Sequence, residues 1–219
     1  MQCPLCHSHD CEIFHDDNQR TDKKFNQHRL YYQCFRCKLI YLEPKQLPTS
    51  DIEIKKYNEH TNNPLDQGYR AFLNMLIKPL MNKLDEADCG LDFGSGPGPT
   101  LSVIFKEHGF IVDDYDPYFK NDQELLCKTY DFITSTEVFE HFFEPKKELE
   151  LLLNLLNPQG YLGVMTKLYN ESIDFNNWYY RRDSTHVIFF TEETFKWISD
   201  TYSLRVEILG DNVIILQKE

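Results

Sequence analysis

The sequence predicts an α/β protein: a doubly wound sheet finished by an antiparallel hairpin, with a small cysteine-bearing segment in front of it. Three observations predict this. Short apolar runs alternate with helical patterns from residue 69 to residue 200. A glycine-rich stretch, Leu91-Asp92-Phe93-Gly94-Ser95-Gly96-Pro97-Gly98-Pro99, joins one such run to the helix after it. Two C-x-x-C pairs, Cys3/Cys6 and Cys34/Cys37, stand near the start of the chain.

The 219 residues, 41% of them hydrophobic, suffice for one full α/β domain and a small appendage. No apolar run approaches the ~18 residues of a membrane helix. The Met1-Gln2-Cys3-Pro4 start has neither the basic nor the apolar region of a signal peptide. A soluble, cytoplasmic protein is the expectation. Residues 1–48 hold seven basic and six acidic residues, so the net charge of −12 lies in the rest of the chain. An acidic domain repels phosphate backbones at long range, which disfavours nucleic acid as the substrate.

Residues 1–48 read as a zinc-ribbon-like segment. Two C-x-x-C turns supply four thiolates, enough for a closed tetrahedral zinc site, and disulfides are the rarer use of such pairs in a cytosolic chain. Ile13–Phe14 and Leu30–Gln33 are its short strands. His7, His9, Cys11 and His28 are spare ligands. Residues 49–67, with Pro44 and Pro48 just before them, read as a linker. Residues 68–219 form the main domain. Tyr69–Leu84 is apolar at helical spacing, with Pro79 a kink. Ala87–Phe93 is a strand carrying Cys89 as a small buried residue. Thr100–His108 is a helix ended by Gly109, and Phe110–Tyr115 the next strand. Tyr130–Ser135, a helix over Lys146–Leu156, a turn at Asn157-Pro158-Gln159-Gly160 and a strand over Tyr161–Thr166 follow. Thr191 caps a helix over Glu192–Ser199. Leu204–Leu209 and Val213–Gln217, joined by Gly210-Asp211-Asn212, make the terminal hairpin.

The glycine loop carries the first functional signal. Glycine at alternate positions lets backbone approach a ligand closely. The spacing is G-x-G-x-G, not the G-x-G-x-x-G of a dinucleotide site, and Asp92 makes the neighbourhood acidic. That suits a cationic ligand without phosphate, such as S-adenosylmethionine (SAM). Asp116, ending the next strand, reads either as a turn aspartate before Pro117 or as a carboxylate gripping two ribose hydroxyls.

Asp92, Gly94, Gly96 and Gly98 resemble the first motif of class I SAM-dependent methyltransferases, and the resemblance runs from about Gly68 to the C-terminus. It implies a Rossmann-like sheet with a final antiparallel strand, a cofactor held by Asp92, Gly94, Ser95, Gly96, Gly98, Asp116 and Glu137, and methyl transfer to oxygen or carbon of a small molecule. The Asn-Pro-Gln-Gly turn is similar to the L-x-P-G-G turn of that family. One departure stands out. Tyr118–Thr129 leaves twelve residues where the family fits a helix, a third strand and an adenine-binding acid. The helix must be shortened or the strand lost, with Asp122 and Glu124 as substitutes for the acid.

Glu137-Val138-Phe139-Glu140-His141 follows the fourth-strand segment. If helical, it places two carboxylates and an imidazole on one face. With His186 it resembles the metal site of small-RNA 2′-O-methyltransferases and ubiquinone-pathway O-methyltransferases. That implies a divalent cation such as Mg²⁺ on Glu137, Glu140, His141 and His186, the imidazoles widening the choice to Mn²⁺, Fe²⁺ or Zn²⁺. Without a metal, His141 or His186 is the general base. Tyr169, Trp178 and Tyr179 are candidates for stacking on substrate, and Arg182 for an anionic substrate group, with Tyr180 and Arg181 beside them. Zinc ribbons also precede sugar C-methyltransferases and some ribosomal RNA methyltransferases. An RNA methyltransferase and a non-catalytic interaction module remain as alternatives; a nicotinamide dehydrogenase is disfavoured by the loop spacing.

Overall fold

The structure, a computed structural model, describes residues 1–17, 28–59 and 62–219. Its main sheet has six strands: β4 (Cys89–Phe93), β5 (Ile111–Tyr115), β6 (Tyr130–Thr136), β7 (Leu156–Met165), β9 (Leu204–Leu209) and β10 (Val213–Lys218). Their order is β5-β4-β6-β7-β10-β9. The first four are parallel, and β10 runs antiparallel to both β7 and β9. This is the expected doubly wound sheet with its terminal hairpin.

Helix α2 (Gln67–Met81) and α3 (Thr100–Glu107) cover one face. Leu73, Leu76, Ile77 and Leu80 of α2 meet Leu101, Ile104 and Phe105 of α3 in one apolar cluster with Val112 and Phe132. The Asp66 carboxylate caps α2 by accepting from Gly68 N (2.8 Å) and Tyr69 N (3.0 Å). Pro79 lies in the last turn, and the helix ends two residues later. Helices α4 (Pro145–Leu155) and α5 (Glu192–Tyr202) bury Leu149, Leu152, Phe195 and Ile198 on the other side. Thr191 caps α5 in a reciprocal box with Thr194. The Asn157-Pro158-Gln159-Gly160 turn is an irregularity inside β7, with Gln159 at φ 64°. Cys89 is half-buried at the first position of β4 rather than buried within it.

The third strand is absent, and the helix is shortened too. Between β5 and β6 there is only a one-pair bridge, Asp116 to Lys120, and a short 3₁₀ turn over Gln123–Cys127. Strand β5 is therefore a sheet edge.

The N-terminal residues form β1 (Cys11–Asp16), β2 (Leu30–Cys34) and β3 (Ile40–Leu42). The fourth strand of that sheet, β8 (Ile188–Phe189), comes from the far end of the chain: Ile40 pairs with Phe189 and Tyr41 with Ile188. One apolar cluster runs from Cys3, Leu5 and Leu39 through Phe189 to Phe139 and Ile198. Between the two sheets Arg181, 1% exposed, makes a two-pronged pair with Asp17, both contacts 2.8 Å, and lies over the rings of Tyr31 and Phe175. The expected linker corrects to a structured segment. Residues Ser50–Tyr57 form helix α1, with acids in its first turn and lysines in its last, matching the helix dipole.

Candidate active site

The glycine loop runs from β4 to α3. Gly94 sits at φ +82°, and a Cβ there would lie 2.4 Å from Val138 Cγ2. At Gly98 a Cβ would lie 2.1 Å from the backbone oxygen of Asn62, so the chain after α1 presses directly on the loop. Gly94 N and Ser95 N donate to Tyr115 O. Gly96 N donates to Asp116 Oδ2 at 2.9 Å, and Tyr118 N and Phe119 N donate to Oδ1. Asp116 is thus a turn aspartate that also fastens the loop to the end of β5.

Asp92, 3% exposed, accepts from Thr134 Oγ1 at 3.0 Å. Burial, aided by the nearby Asp114 and Asp116 charges, raises its carboxyl to about 7. A cation brought beside it would favour the ionised form. Loop, Asp92 and Asp116 line a cavity of about 680 Å³, and α1 closes its other wall. Glu53 of α1 accepts from Tyr57 Oη (3.3 Å) and Tyr118 Oη (3.1 Å), which ties α1 to the β5 end. Among the described residues, the lining holds Glu53, Asp92, Asp116, Glu137, Glu148 and Asp183 but no lysine or arginine.

The Glu137–His141 stretch is not one helix. Glu137 takes a left-handed backbone, φ 53°, strain of about 1–3 kcal/mol that the surroundings hold, and Phe139–His141 is one 3₁₀ turn. Glu137 therefore opens to the cavity, and surrounding protein raises its carboxyl to about 7. Glu140, His141 and His186 converge instead, their ligand-capable atoms within 4.8 Å of one another. Three of the four expected metal ligands come together, and Glu137 does not join them. Glu140 is fully buried, accepts from Thr166 Oγ1 at 2.9 Å, and leaves Oε1 without a partner 4.0 Å from both His141 Nε2 and His186 Nε2. Each Nδ1 faces a backbone carbonyl: His141 that of Thr185 (3.0 Å), His186 that of Tyr180 (2.7 Å). Those bonds set the tautomers and aim both Nε2 lone pairs at the gap, the arrangement of imidazoles that ligate a metal. Burial and the adjacent His141 lower His186 to about 3, so it is neutral. Burial raises Glu140 to about 7. Three acceptors facing one another without a donor fit a cation.

The four cysteines also fit a metal. Cys3 and Cys37 Sγ are 3.5 Å apart and Cys6 and Cys34 Sγ 3.4 Å, near the ~3.8 Å edge of a zinc–thiolate tetrahedron with ~2.3 Å bonds. The thiol of Cys37 lowers Cys3 to about 6, while the same contact and burial drive Cys37 up. A shared cation would hold the crowded sulfurs together as thiolates. Cys11, His7, His9 and His28 stay outside this group. Metal analysis is expected to return about one zinc per chain at the cysteines; a folded, zinc-free protein would contradict the fit.

The aromatic candidates belong elsewhere. Tyr169 and Trp178 pack with Phe14, Phe175 and Phe189 in the core between the sheets, Tyr179 is 63% exposed, and Arg182 is an exposed side chain donating to Asn177 O. None of the four lines the cavity. Tyr180 and Arg181 take the buried positions of the short turn beside Tyr179 and Arg182. The walls that sequence reading missed are Tyr57, Glu53, Tyr69, Tyr118 and Glu148. Tyr69 and Phe72 carried a signal, since both lie on the α2 stripe over the loop.

A family model of the methyltransferase domain matches residues 65–207, more than half of the chain. The chain belongs to the methyltransferase-domain family. The fold of this methyltransferase is that of the class I SAM-dependent enzymes. It resembles 1,6-didemethyltoxoflavin-N1-methyltransferase of Burkholderia thailandensis, solved with 1,6-didemethyltoxoflavin and S-adenosylhomocysteine, at 13% identity and TM-score 0.56, covering 91% of this chain and 97% of that one. It also resembles magnesium protoporphyrin IX methyltransferase of Synechocystis PCC 6803, solved with S-adenosylhomocysteine, at 14% identity and TM-score 0.52, covering 77% and 94%. A third similar structure is an O-methyltransferase family protein of Burkholderia thailandensis, at 11% identity and TM-score 0.53, covering 80% and 64%. Among curated proteins none matches by sequence. No described helix of the methyltransferase is long and apolar enough to cross a membrane.

Proposed function

We propose that the chain transfers the methyl group of SAM to an oxygen or carbon of a small, hydroxylated acceptor, with a divalent cation held by Glu140, His141 and His186. The observation that carries the reading is the single cavity wall on which the glycine loop and Asp92 meet His141 and His186. SAM supplies an electrophilic methyl on a sulfonium. Asp92 receives the ammonium of its methionine end, Asp116 keeps the loop in place and offers its remaining acceptor capacity to the ribose, and α1 with Tyr57 excludes water. Proximity of this kind contributes about 7–11 kcal/mol to such displacements. A bound divalent ion supplies Lewis acidity to an acceptor hydroxyl. Without a bound metal, His141 Nε2 takes the acceptor's proton.

Among the described residues the lining is acid-rich and holds no lysine or arginine, which favours a neutral or cationic acceptor over a phosphate-bearing one such as RNA. Toxoflavin precursor and porphyrin, the acceptors named for two similar structures, are likewise small molecules. Calorimetric titration with S-adenosylhomocysteine tests the reading; micromolar binding supports it and no binding sinks it. The pH dependence is specific. Because Asp92 sits near 7 in the empty site and binds an ammonium only when ionised, affinity should fall about tenfold per unit as pH drops from 7 to 5. Asp92→Asn should bind weakly with a flatter profile. An unchanged slope in that variant would remove Asp92 from the cofactor's partners.

A further inference from the structure

We infer that the four-cysteine module is a positioning arm of the active centre: its metal-dependent fold holds the segment 183–190, and through it His186 and Glu140, in working geometry. The inference goes beyond methyl transfer itself, though the importance of the two histidines rests on that reading.

Three sets of contacts carry it. The first is a backbone relay. Strand β3 begins three residues after Cys37, and its last residue donates from Leu42 N to Val187 O at 2.8 Å. Val187 N in turn donates to Glu140 O at 2.9 Å. The residue after His186 is thus hydrogen-bonded on one side to the cysteine module and on the other to the carboxylate-bearing residue of the cluster. The second is Arg29, just before β2 and 9% exposed, whose guanidinium donates to Ser184 O (2.7 Å) and Asp183 O (3.4 Å). Those carbonyls immediately precede Thr185, whose own carbonyl orients His141. The third is the Arg181–Asp17 pair, which fixes the backbone beside Tyr180, the residue whose carbonyl orients His186.

Both imidazoles are therefore oriented by carbonyls of a segment that the main sheet does not pair. Strand β8 hydrogen-bonds to β3 and belongs to the other sheet. The module is too small to build a core of its own, so its fold depends on the metal that joins its two C-x-x-C turns. The glycine loop, by contrast, is fastened to Tyr115 and Asp116. Loss of the cysteine metal should then loosen the histidine cluster while leaving the cofactor half intact.

The test compares full-length wild type with Cys37→Ser and Arg29→Gln, using three readouts that need no acceptor. These are amide hydrogen exchange by peptide, Mn²⁺ binding by electron paramagnetic resonance, and S-adenosylhomocysteine binding by calorimetry. Cys37→Ser should speed exchange over 183–190 by about tenfold or more, weaken Mn²⁺ binding by a similar factor, and leave S-adenosylhomocysteine affinity within about threefold of wild type. Arg29→Gln, with its zinc retained, should speed exchange over 183–186 by a smaller factor. It keeps the test decisive if Cys37→Ser fails to fold. Unchanged exchange over 183–190 after zinc loss overturns the inference. So does equal loosening of 94–98 with loss of S-adenosylhomocysteine binding, since the module would then support the whole domain. A wild type that binds no S-adenosylhomocysteine would sink the transferase reading and leave the exchange result to judge the arm.

Discussion

Gly94→Ala is expected to weaken S-adenosylhomocysteine binding by about a hundredfold or more, near 3 kcal/mol. Two costs add. A residue with a Cβ at φ +82° pays about 1–2 kcal/mol. The same Cβ meets Val138 at 2.4 Å and must push it away, for another ~1–3 kcal/mol. Neither neighbour can yield cheaply. Gly94 N is held by Tyr115 O at 2.8 Å, and Val138 follows the strained Glu137. Gly109→Ala is the control: its φ is +93°, but nothing lies within 4 Å of the added carbon. It pays the backbone cost alone, read as a lower melting temperature, with unchanged binding. Binding within threefold of wild type for Gly94→Ala would show that the loop is not the cofactor's seat.

Glu140→Gln is expected to move stability and function in opposite directions. The carboxyl is fully buried with one oxygen unpartnered, and burial has already raised it to about 7. For an acid raised in the fold, ionisation disfavours the folded state as pH rises from its ordinary value towards 7. An amide of equal size removes that cost and presents N–H donors to the two Nε2 atoms. Unfolding free energy at pH 8 should rise by about 1–2 kcal/mol, several degrees in melting temperature for a chain of this length. Mn²⁺ affinity should drop by at least ~100-fold, the upper end of what even outer partners of a metal site contribute. A lower melting temperature with Mn²⁺ binding intact would mean that the carboxylate has a structural partner and no metal.

The main sheet was legible because its signals are local. Alternating apolar runs, the Thr191 cap and the turn at 210–212 each act within a few residues. Even the missing element after β5 left a trace, a connection too short for both a full helix and a third strand, though it did not say which was lost. The failures share a different cause. Glu137, Glu140 and His141 share a face only in a helix, and the left-handed residue that prevents it is a glutamate, which carries no sequence signal for φ > 0. Residues 49–67 look polar and short, so α1 read as a linker. Its burial of Glu53 depends on Tyr118, 65 residues away. Tyr169 and Trp178 have the composition of a substrate wall, yet their ring cluster takes in Phe14, which the N-terminal sheet brings from the far end of the chain. Long-range partnership, more than residue type, decided which aromatics face the cavity.

The strand pairing between Ile40 and Phe189 also fixes an order of events during synthesis. The cysteine turns leave the ribosome early, but the strand that completes their sheet follows only after roughly 7–30 s at ~5–20 residues per second. For that interval four thiols stand on an unfinished sheet with the β3 edge open, a template for the wrong neighbour. Capture of a metal by the four cysteines at this stage would give the nascent segment a defined shape before its partner exists. The late strand would then dock on a prepared edge and bring the residues before it, His186 among them, to the active centre.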